Sequence, residues 1–316
     1  MDIVVIGCGA VGSLLGALLR AGGHDVSLVG RRGPLEDRAL RLVLPGGWQT
    51  VTGFTFPPPH EPELVLVCLG RHHLASLRRG ELALSPDAGH IVFWNADVAQ
   101  PARLGLARDR WSPAVSLMTA VRLQEGDVTL ESERPVLVVE RRSGAAKALR
   151  GLRRCGFAVS EVEDAAPFVD ALFVHQLLEL PAAMCATTIP WFLSFPEGRG
   201  IAAEVLAEGL KTMERAGRPL AHLPVMDPRD LLERIGRRPQ SFDRARELPD
   251  QAWPPLLQAF LTGRKHEARD VTKRIVEMAS DAGLSLTWNW RLFQKAGRVG
   301  SVGFFRDPTE LARALA

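Results

Sequence analysis

The opening twenty residues constrain this chain more than any other stretch. Asp2-Ile3-Val4-Val5-Ile6 is a short, apolar, largely β-branched run. Gly7-Cys8-Gly9-Ala10-Val11-Gly12 follows at once, and Ser13-Leu14-Leu15-Gly16-Ala17-Leu18-Leu19-Arg20 reads as an apolar helix. The order is therefore strand, glycine turn, helix. Each glycine has a physical task in such a unit. Gly7 lets the chain turn tightly out of the strand, Gly9 lets a pyrophosphate come close to the backbone, and Gly12 lets the helix pack on the strand. The unpaired amides and the positive end of the helix dipole then face the phosphates, and Ala10 and Val11 belong to the same cofactor-binding turn. A bare GxGxxG string says little. Here it follows a strand, opens a helix and precedes a second strand, Asp25-Val26-Ser27-Leu28-Val29, a context that favours dinucleotide binding over a glycine-rich turn of some other α/β protein.

The second strand ends in Arg31-Arg32, where an NAD site places an acid for the ribose 2′-hydroxyl. A guanidinium pairs well with a 2′-phosphate, so the expected cofactor is NADPH/NADP rather than NADH. The alternative is that the two arginines only decorate an exposed loop. Further on, residues 40–56 alternate around Gly46-Gly47 as a small hairpin would. Residues 63–69 form an unbroken apolar run expected of a buried parallel strand. That strand delivers Leu69 and Gly70 to its carboxyl end, and the strand expected at residues 90–94 delivers Asn95 to the same edge, where open α/β sheets bind ligands. A helix is expected over residues 74–84. The runs at 114–121, 127–131 and 135–140 suit an extension of the sheet, followed by a helix at 145–155 and a strand at 158–162.

After residue 164 strand signals stop. Helical stretches are expected at 170–184, 201–216, 228–235, 254–261, 266–282 and 309–316, so the chain divides into a domain of residues 1–165 and one of 166–316. A length of 316 residues suits two domains. The net charge is only +3, and the basic residues are dispersed without interleaved aromatics, which argues against nucleic acid as a partner. Cys8, Cys68, Cys155 and Cys185 show no CxxC spacing, so neither a zinc site nor disulfides are expected. No stretch is long and apolar enough to span a bilayer, and the amino-terminal run lacks a basic start and is interrupted by glycines, so it is not read as a signal peptide. A cytoplasmic location and a small-molecule substrate are expected, with a second copy of the chain as candidate partner.

The stretch 170–184 carries His175, Gln176 and Glu179 among apolar residues. On one continuous helix these three fall within about a third of a turn of one another. Buried polar groups need partners, so they either form a structural cluster or line a cleft. In the second case His175, with Glu179 one turn away, is a plausible proton donor for reduction of a carbonyl or imine, because the carboxylate favours and orients the imidazolium. Glu267 stands where an acid complements a helix start. His72 and His73 read as crevice-loop residues without further metal ligands, and Trp288, Asn289 and Trp290 as helix-packing residues.

On the GCGAVGSLLG start, Arg31, the ELVLVCLG and HIVFWNAD strands, the PWFLSFPEG segment, and PPLLQAF, RKHEARDV and AGLSL near the end, the chain resembles the ketopantoate reductases (2-dehydropantoate 2-reductases) over nearly its whole length. The resemblance implies an α/β Rossmann-type NADPH-binding domain followed by an all-helical substrate domain, of the type that ends 6-phosphogluconate dehydrogenase. It also implies hydride transfer in the cleft, with Asn95 and Glu267 among the cofactor-binding residues. The family's catalytic lysine falls on Leu172 and the asparagines that follow it on Gln176 and Leu180. A further lysine falls on Gly70 and a serine on Pro255. Leucine can neither donate a proton nor clamp a carboxylate, so the expected substrate is a carbonyl or imine other than ketopantoate, with His175, Gln176 and Glu179 as the catalytic set. The alternative is a member that has lost redox activity and uses the nucleotide site or cleft for sensing or non-redox catalysis.

Overall fold

The computed structural model describes residues 1–30, 33–34, 39–70, 73–74, 89–94, 99–118, 120–122, 126–130, 132, 135–224, 227–237, 257–258, 268–296 and 304–316. Of the site residues expected from sequence, Arg31, Arg32, Asn95 and Glu267 lie outside these, as do nearly all of the helix expected at 74–84 and most of that at 254–261. The chain forms two compact units, Met1–Val169 and Asp170–Ala316.

The first unit is built on a sheet whose strands, in chain order, are β1 (Asp2–Ile6), β2 (Asp25–Gly30), β3 (Gly33–Pro34), β6 (Leu64–Val67), β7 (His90–Trp94), β8 (Trp111–Ser116), β11 (Val136–Glu140) and β12 (Ala158–Val162). Their spatial order is β12-β11-β8-β7-β6-β1-β2-β3. β1 runs parallel to β2 on one side and to β6 on the other, with Val5 opposite Leu28 and Leu66. The chain thus winds outward in one direction from β1, then returns to build the other half. Strands β6 and β7 are buried on both faces. Ile3, Val5, Leu64, Leu66, Val92 and Trp94 join one core, while Val65, Val67, Ile91, Phe93 and Trp111 join another, as a period of two requires.

Helix α1 (Ala10–Ala21) packs on the first of these cores through Leu14, Leu15, Ala17 and Leu19. Close approach needs Gly16, where a Cβ would stand 2.4 Å from Leu28 Cδ2. The other side of α1 is covered by a second sheet, in the order β5-β4-β10-β9, made of β4 (Leu40–Leu44), β5 (Gly47–Val51), β9 (Ala120–Val121) and β10 (Asp127–Leu130). The expected hairpin is β4–β5. The expected single extension is instead divided: β8 and β11 lengthen the main sheet, while β9 and β10 leave it. β8 is already flanked by β7 and β11, so it offers no edge, and β10 buries alternate residues Val128 and Leu130 with the α1 core. Helix α2 (Ala146–Arg154) crosses between β11 and β12.

The second unit is helical. The stretch expected to be one helix is two, α3 (Ala166–Gln176), which begins before the division, and α4 (Glu179–Met184), separated by a turn at Leu177-Leu178. Pro181 explains the break. It has no amide to give the Leu177 carbonyl, and its ring crowds that carbonyl. The amides of Leu177 and Leu178 bond three residues back, to Val174 and His175 (3.2 and 3.1 Å). The following α5 (Ile189–Ser194) is capped by Thr188, whose Oγ1 accepts from Trp191 N (3.4 Å). The centre of the unit is α6 (Pro196–Arg215), packed against α5, α7 (Pro228–Arg237), α8 (Ala268–Asp281), α9 (Trp288–Ala296) and α10 (Pro308–Leu315). Its core includes Phe173, Leu177, Phe192, Val205, Leu206, Ile275 and Leu292.

Helix α9 has no acid in its own first turn and borrows one from α6. The Glu208 carboxylate accepts from Thr287 N (2.6 Å), Trp288 N (2.9 Å), Asn289 N (2.9 Å) and Asn289 Nδ2 (2.9 Å). Four donors converge on one anion at a helix start, so Glu208→Ala is expected to cost about 2–3 kcal/mol in urea denaturation, with Glu208→Gln losing less. A change below about 0.5 kcal/mol would mean that water replaces the carboxylate.

Candidate dinucleotide site and helical polar face

The loops leaving β1 and β6 diverge at the point where the strand order reverses, the place where open α/β sheets hold ligands. Cys68 N donates to Ile6 O (2.8 Å) and Gly7 N to Val29 O (2.8 Å), so the turn is fixed on both sides. Gly7 has φ +106°, and a Cβ there would stand 2.5 Å from Cys68 O. At Gly12 a Cβ would meet Gly7 O at 1.8 Å, so only glycine lets α1 start directly against the turn. Gly9 differs: its backbone is extended and a Cβ there would find nothing within 4 Å among the described residues. The three positions therefore divide into two that pack and one that faces open space. Gly9 is the N-cap of α1, and no side chain hydrogen-bonds as a cap; the helix ladder starts with Ser13 N to Gly9 O (2.9 Å). No acid occupies the first turn. Amides at Ala10, Val11 and Gly12 thus sit at the positive end of a twelve-residue helix with no acid in its own first turn to meet them. This cradle suits a pyrophosphate: open where the phosphates would lie, closed where a side chain would be refused. Leu69 is half-buried beside Gly7, and Gly70, exposed, accepts from Leu74 N (2.9 Å).

One residue at this turn is absent from the sequence-derived set. Arg122, directly after β9, is 8% exposed, and its Nη1 donates to Cys8 O and to Ser13 Oγ, the latter at 3.2 Å. Its partners lie 114 and 109 positions earlier in the chain, so no local pattern announces the pairing.

In the helical unit the polar stripe divides at the turn. His175 and Gln176 end α3, whereas Glu179 opens α4. Leu172 and Gln176, four apart on α3, are half-buried on one face, and Glu179 is also half-buried. His175 is buried, its Nδ1 without a hydrogen-bond partner among the described residues. Burial lowers its imidazole to about 4, against the pull of Asp227. The ring is therefore neutral near pH 7, and the carboxylate that favours its charged form is Asp227. Asp227 itself is pushed up by burial but held at about 2 by hydrogen bonds from the Arg229 side chain and from the amides of Leu223 and Arg229. His222 and Asp230 bring ligand-type atoms within 4.8 Å of Asp227 and of each other. A cation there would have to displace the Arg229 guanidinium, whose Nε and Nη2 lie 3.0 and 2.9 Å from Asp227 oxygens.

Strand order, glycine turn and helical second unit define a Rossmann-type α/β domain followed by a part that is helical among the described residues. Residues 3–142 match the family model of ketopantoate reductase PanE/ApbA. Among solved structures, a PanE/ApbA family ketopantoate reductase from Ralstonia eutropha JMP134 is 20% identical, with a TM-score of 0.73 over 94% of this chain and 97% of that one. A dimeric ketopantoate reductase from Staphylococcus aureus is 13% identical, with a TM-score of 0.71 over 94% and 98%. A D-mandelate dehydrogenase solved with NADH is also 13% identical, with a TM-score of 0.71 over 95% and 100%. The ketopantoate reductase fold therefore extends through the helical unit. No curated protein matched the sequence. Among the described residues, no helix is long and apolar enough to cross a membrane.

Proposed function

We propose that this chain is a nicotinamide-dependent oxidoreductase that prefers NADPH and reduces a carbonyl or imine of a small organic molecule other than ketopantoate. The observation that carries the reading is the turn at Gly9, open and uncapped at the amino end of α1, with Gly7 and Gly12 packed shut beside it. Bound there, the cofactor would supply the hydride. The chain's own groups do the rest: the α1 amides hold the pyrophosphate, and Arg31 and Arg32, beyond the end of β2, take the 2′-phosphate. On the helical unit, half-buried Glu179 delivers the proton to the reduced atom and Gln176 orients the substrate. His175 is a buried neutral imidazole, and such a ring can still donate a hydrogen bond. Leu172, where the resemblance places a lysine, makes the face more apolar and turns it away from a keto acid. A homodimer and a cytoplasmic location belong to the same proposal.

NADPH is expected to bind about tenfold or more tightly than NADH, and Arg31→Ala to erase the difference. Equal affinities in the parent chain, read by fluorescence titration, would remove the argument from the arginines. Glu179→Gln and His175→Ala are each expected to slow turnover with little change in NADPH affinity, and unchanged rates would make the polar residues structural. Leu172 also favours a second reading, in which the nucleotide site persists without redox chemistry. Absorbance at the nicotinamide band against keto acids, ketones and cyclic imines separates the two, since consumption of NADPH with any of them excludes the second.

A further inference from the structure

We infer that Arg122 is a cofactor-positioning residue, a buried cation that sets the glycine turn and adds its charge to the α1 amides in holding the pyrophosphate; this rests on the dinucleotide reading above. The second sheet explains how it gets there. β9 pairs antiparallel with β10, β10 pairs parallel with β4, and the sheet lies on α1. The chain therefore leaves β9 at Arg122 beside the start of that helix. Ala120 and Val121 are buried just before it, so the guanidinium is carried inward with the strand end.

The hydrogen bonds specify its role. Nη1 reaches Cys8 O, the carbonyl between Gly7 and Gly9, and Ser13 Oγ, in the first turns of α1. One donor group thus ties the middle of the turn to the helix that follows. With the Cys8 carbonyl held back against the guanidinium, the turn has a fixed orientation before any ligand arrives. The charge works in the same direction. A buried guanidinium cannot give up its proton, and at this depth it is screened less than a surface arginine. It stands at the end of α1 that is already positive, where a cation is unfavourable and an anion is welcome. A dinucleotide pyrophosphate is the anion that both features recognise. The adenine and 2′-phosphate ends, by contrast, gain nothing from it.

That asymmetry gives the test. Affinities of NADPH, NADH, ADP-ribose and adenosine 2′-monophosphate are measured by calorimetry for the parent chain, Arg122→Gln and Arg122→Lys, with thermal denaturation of each protein without ligand. Arg122→Gln is expected to weaken NADPH, NADH and ADP-ribose by a common factor of about tenfold or more, equivalent to about 1.4 kcal/mol. The NADPH-to-NADH ratio and the affinity of adenosine 2′-monophosphate, which carries no 5′-phosphate, should stay unchanged. Arg122→Lys, which keeps the charge, should recover most of the loss. Unaltered affinities in Arg122→Gln, or Lys as weak as Gln, would overturn the inference. If Arg122→Gln does not fold, Ser13→Ala decides: a two- to threefold loss confined to pyrophosphate-bearing ligands is expected, and no loss overturns it. A parent chain that binds none of the dinucleotides would instead bring down the dinucleotide reading itself.

Discussion

Gly9→Ala is expected to melt at the temperature of the parent chain yet bind NADPH about a hundredfold more weakly, a loss of about 2.7 kcal/mol. Gly12→Ala is expected to lose stability as well. The two substitutions add the same methyl group three residues apart, and their surroundings decide the difference. At Gly9 the backbone has φ −75° and an added Cβ meets no atom of the described residues within 4 Å, so the protein tolerates it. The space it fills is the space a pyrophosphate needs. At Gly12 the Cβ would lie 1.8 Å from Gly7 O, backbone against backbone, and α1 must move away from β1. Overpacking of this kind costs about 1–3 kcal/mol, and the displacement disorders the amides too. Ligand-free thermal denaturation and NADPH titration of both variants check it. Parent-like affinity in Gly9→Ala would mean that no phosphate group sits on this turn.

The second large effect is a loss of stability in mild acid. Burial lowers His175 to about 4, and His90 is also lowered to about 4, by burial first and by the charges of Arg110 and Arg142 next. Burial and the nearby amino terminus lower His24 in the same direction. In the unfolded chain these rings take up protons near 6.5. Between pH 6.5 and 4 the unfolded state therefore binds more protons than the folded one, and stability falls as pH falls. The full effect is about 3 kcal/mol for each of His175 and His90, complete near pH 4. Asp227 has the opposite origin and another window: with its folded value at about 2, the stability it contributes is kept until the pH falls below 3.8 and is lost as it passes through 2. Urea midpoints measured from pH 7.5 to 4.5 should show the slope, and His90→Gln and His175→Gln should each flatten it. A midpoint independent of pH over that range would show that both rings are hydrated.

The fold of the first unit is well legible in the sequence because its signals are local. A β-branched run, glycines at fixed offsets and an apolar helix are all written within Met1–Arg20, and each strand of β1, β6 and β7 declares itself by an unbroken apolar run. The break in residues 170–184 was legible too, in Pro181, but the near-continuous apolar pattern around it outweighed one residue. Helix α5 had its signal in Thr188-Ile189-Pro190, a cap followed by proline at a helix start. Two features could not be read locally. Which strands leave the main sheet depends on whether an edge is free, and that is a property of β7, β8 and β11 together. Arg122 depends on the same rearrangement, since a residue more than a hundred positions downstream reaches the turn only after β9, β10 and β4 have paired. The polar set on α3 and α4 was identified by composition, whereas its division into buried His175 and half-buried Gln176 and Glu179 needed the packing.

The parallel pairing of β10 with β4 orders events as the chain emerges during synthesis. The strand, turn and helix that bear the fingerprint precede β9 and β10 in the chain, and the sheet that shelters α1 is completed, and the arginine that fastens the turn arrives, only with residues 120–130. A nascent chain stopped before that point would display the glycine signature complete while its landing place for phosphate was still loose. On the dinucleotide reading, phosphate capture thus waits for strands translated well after the motif that marks it.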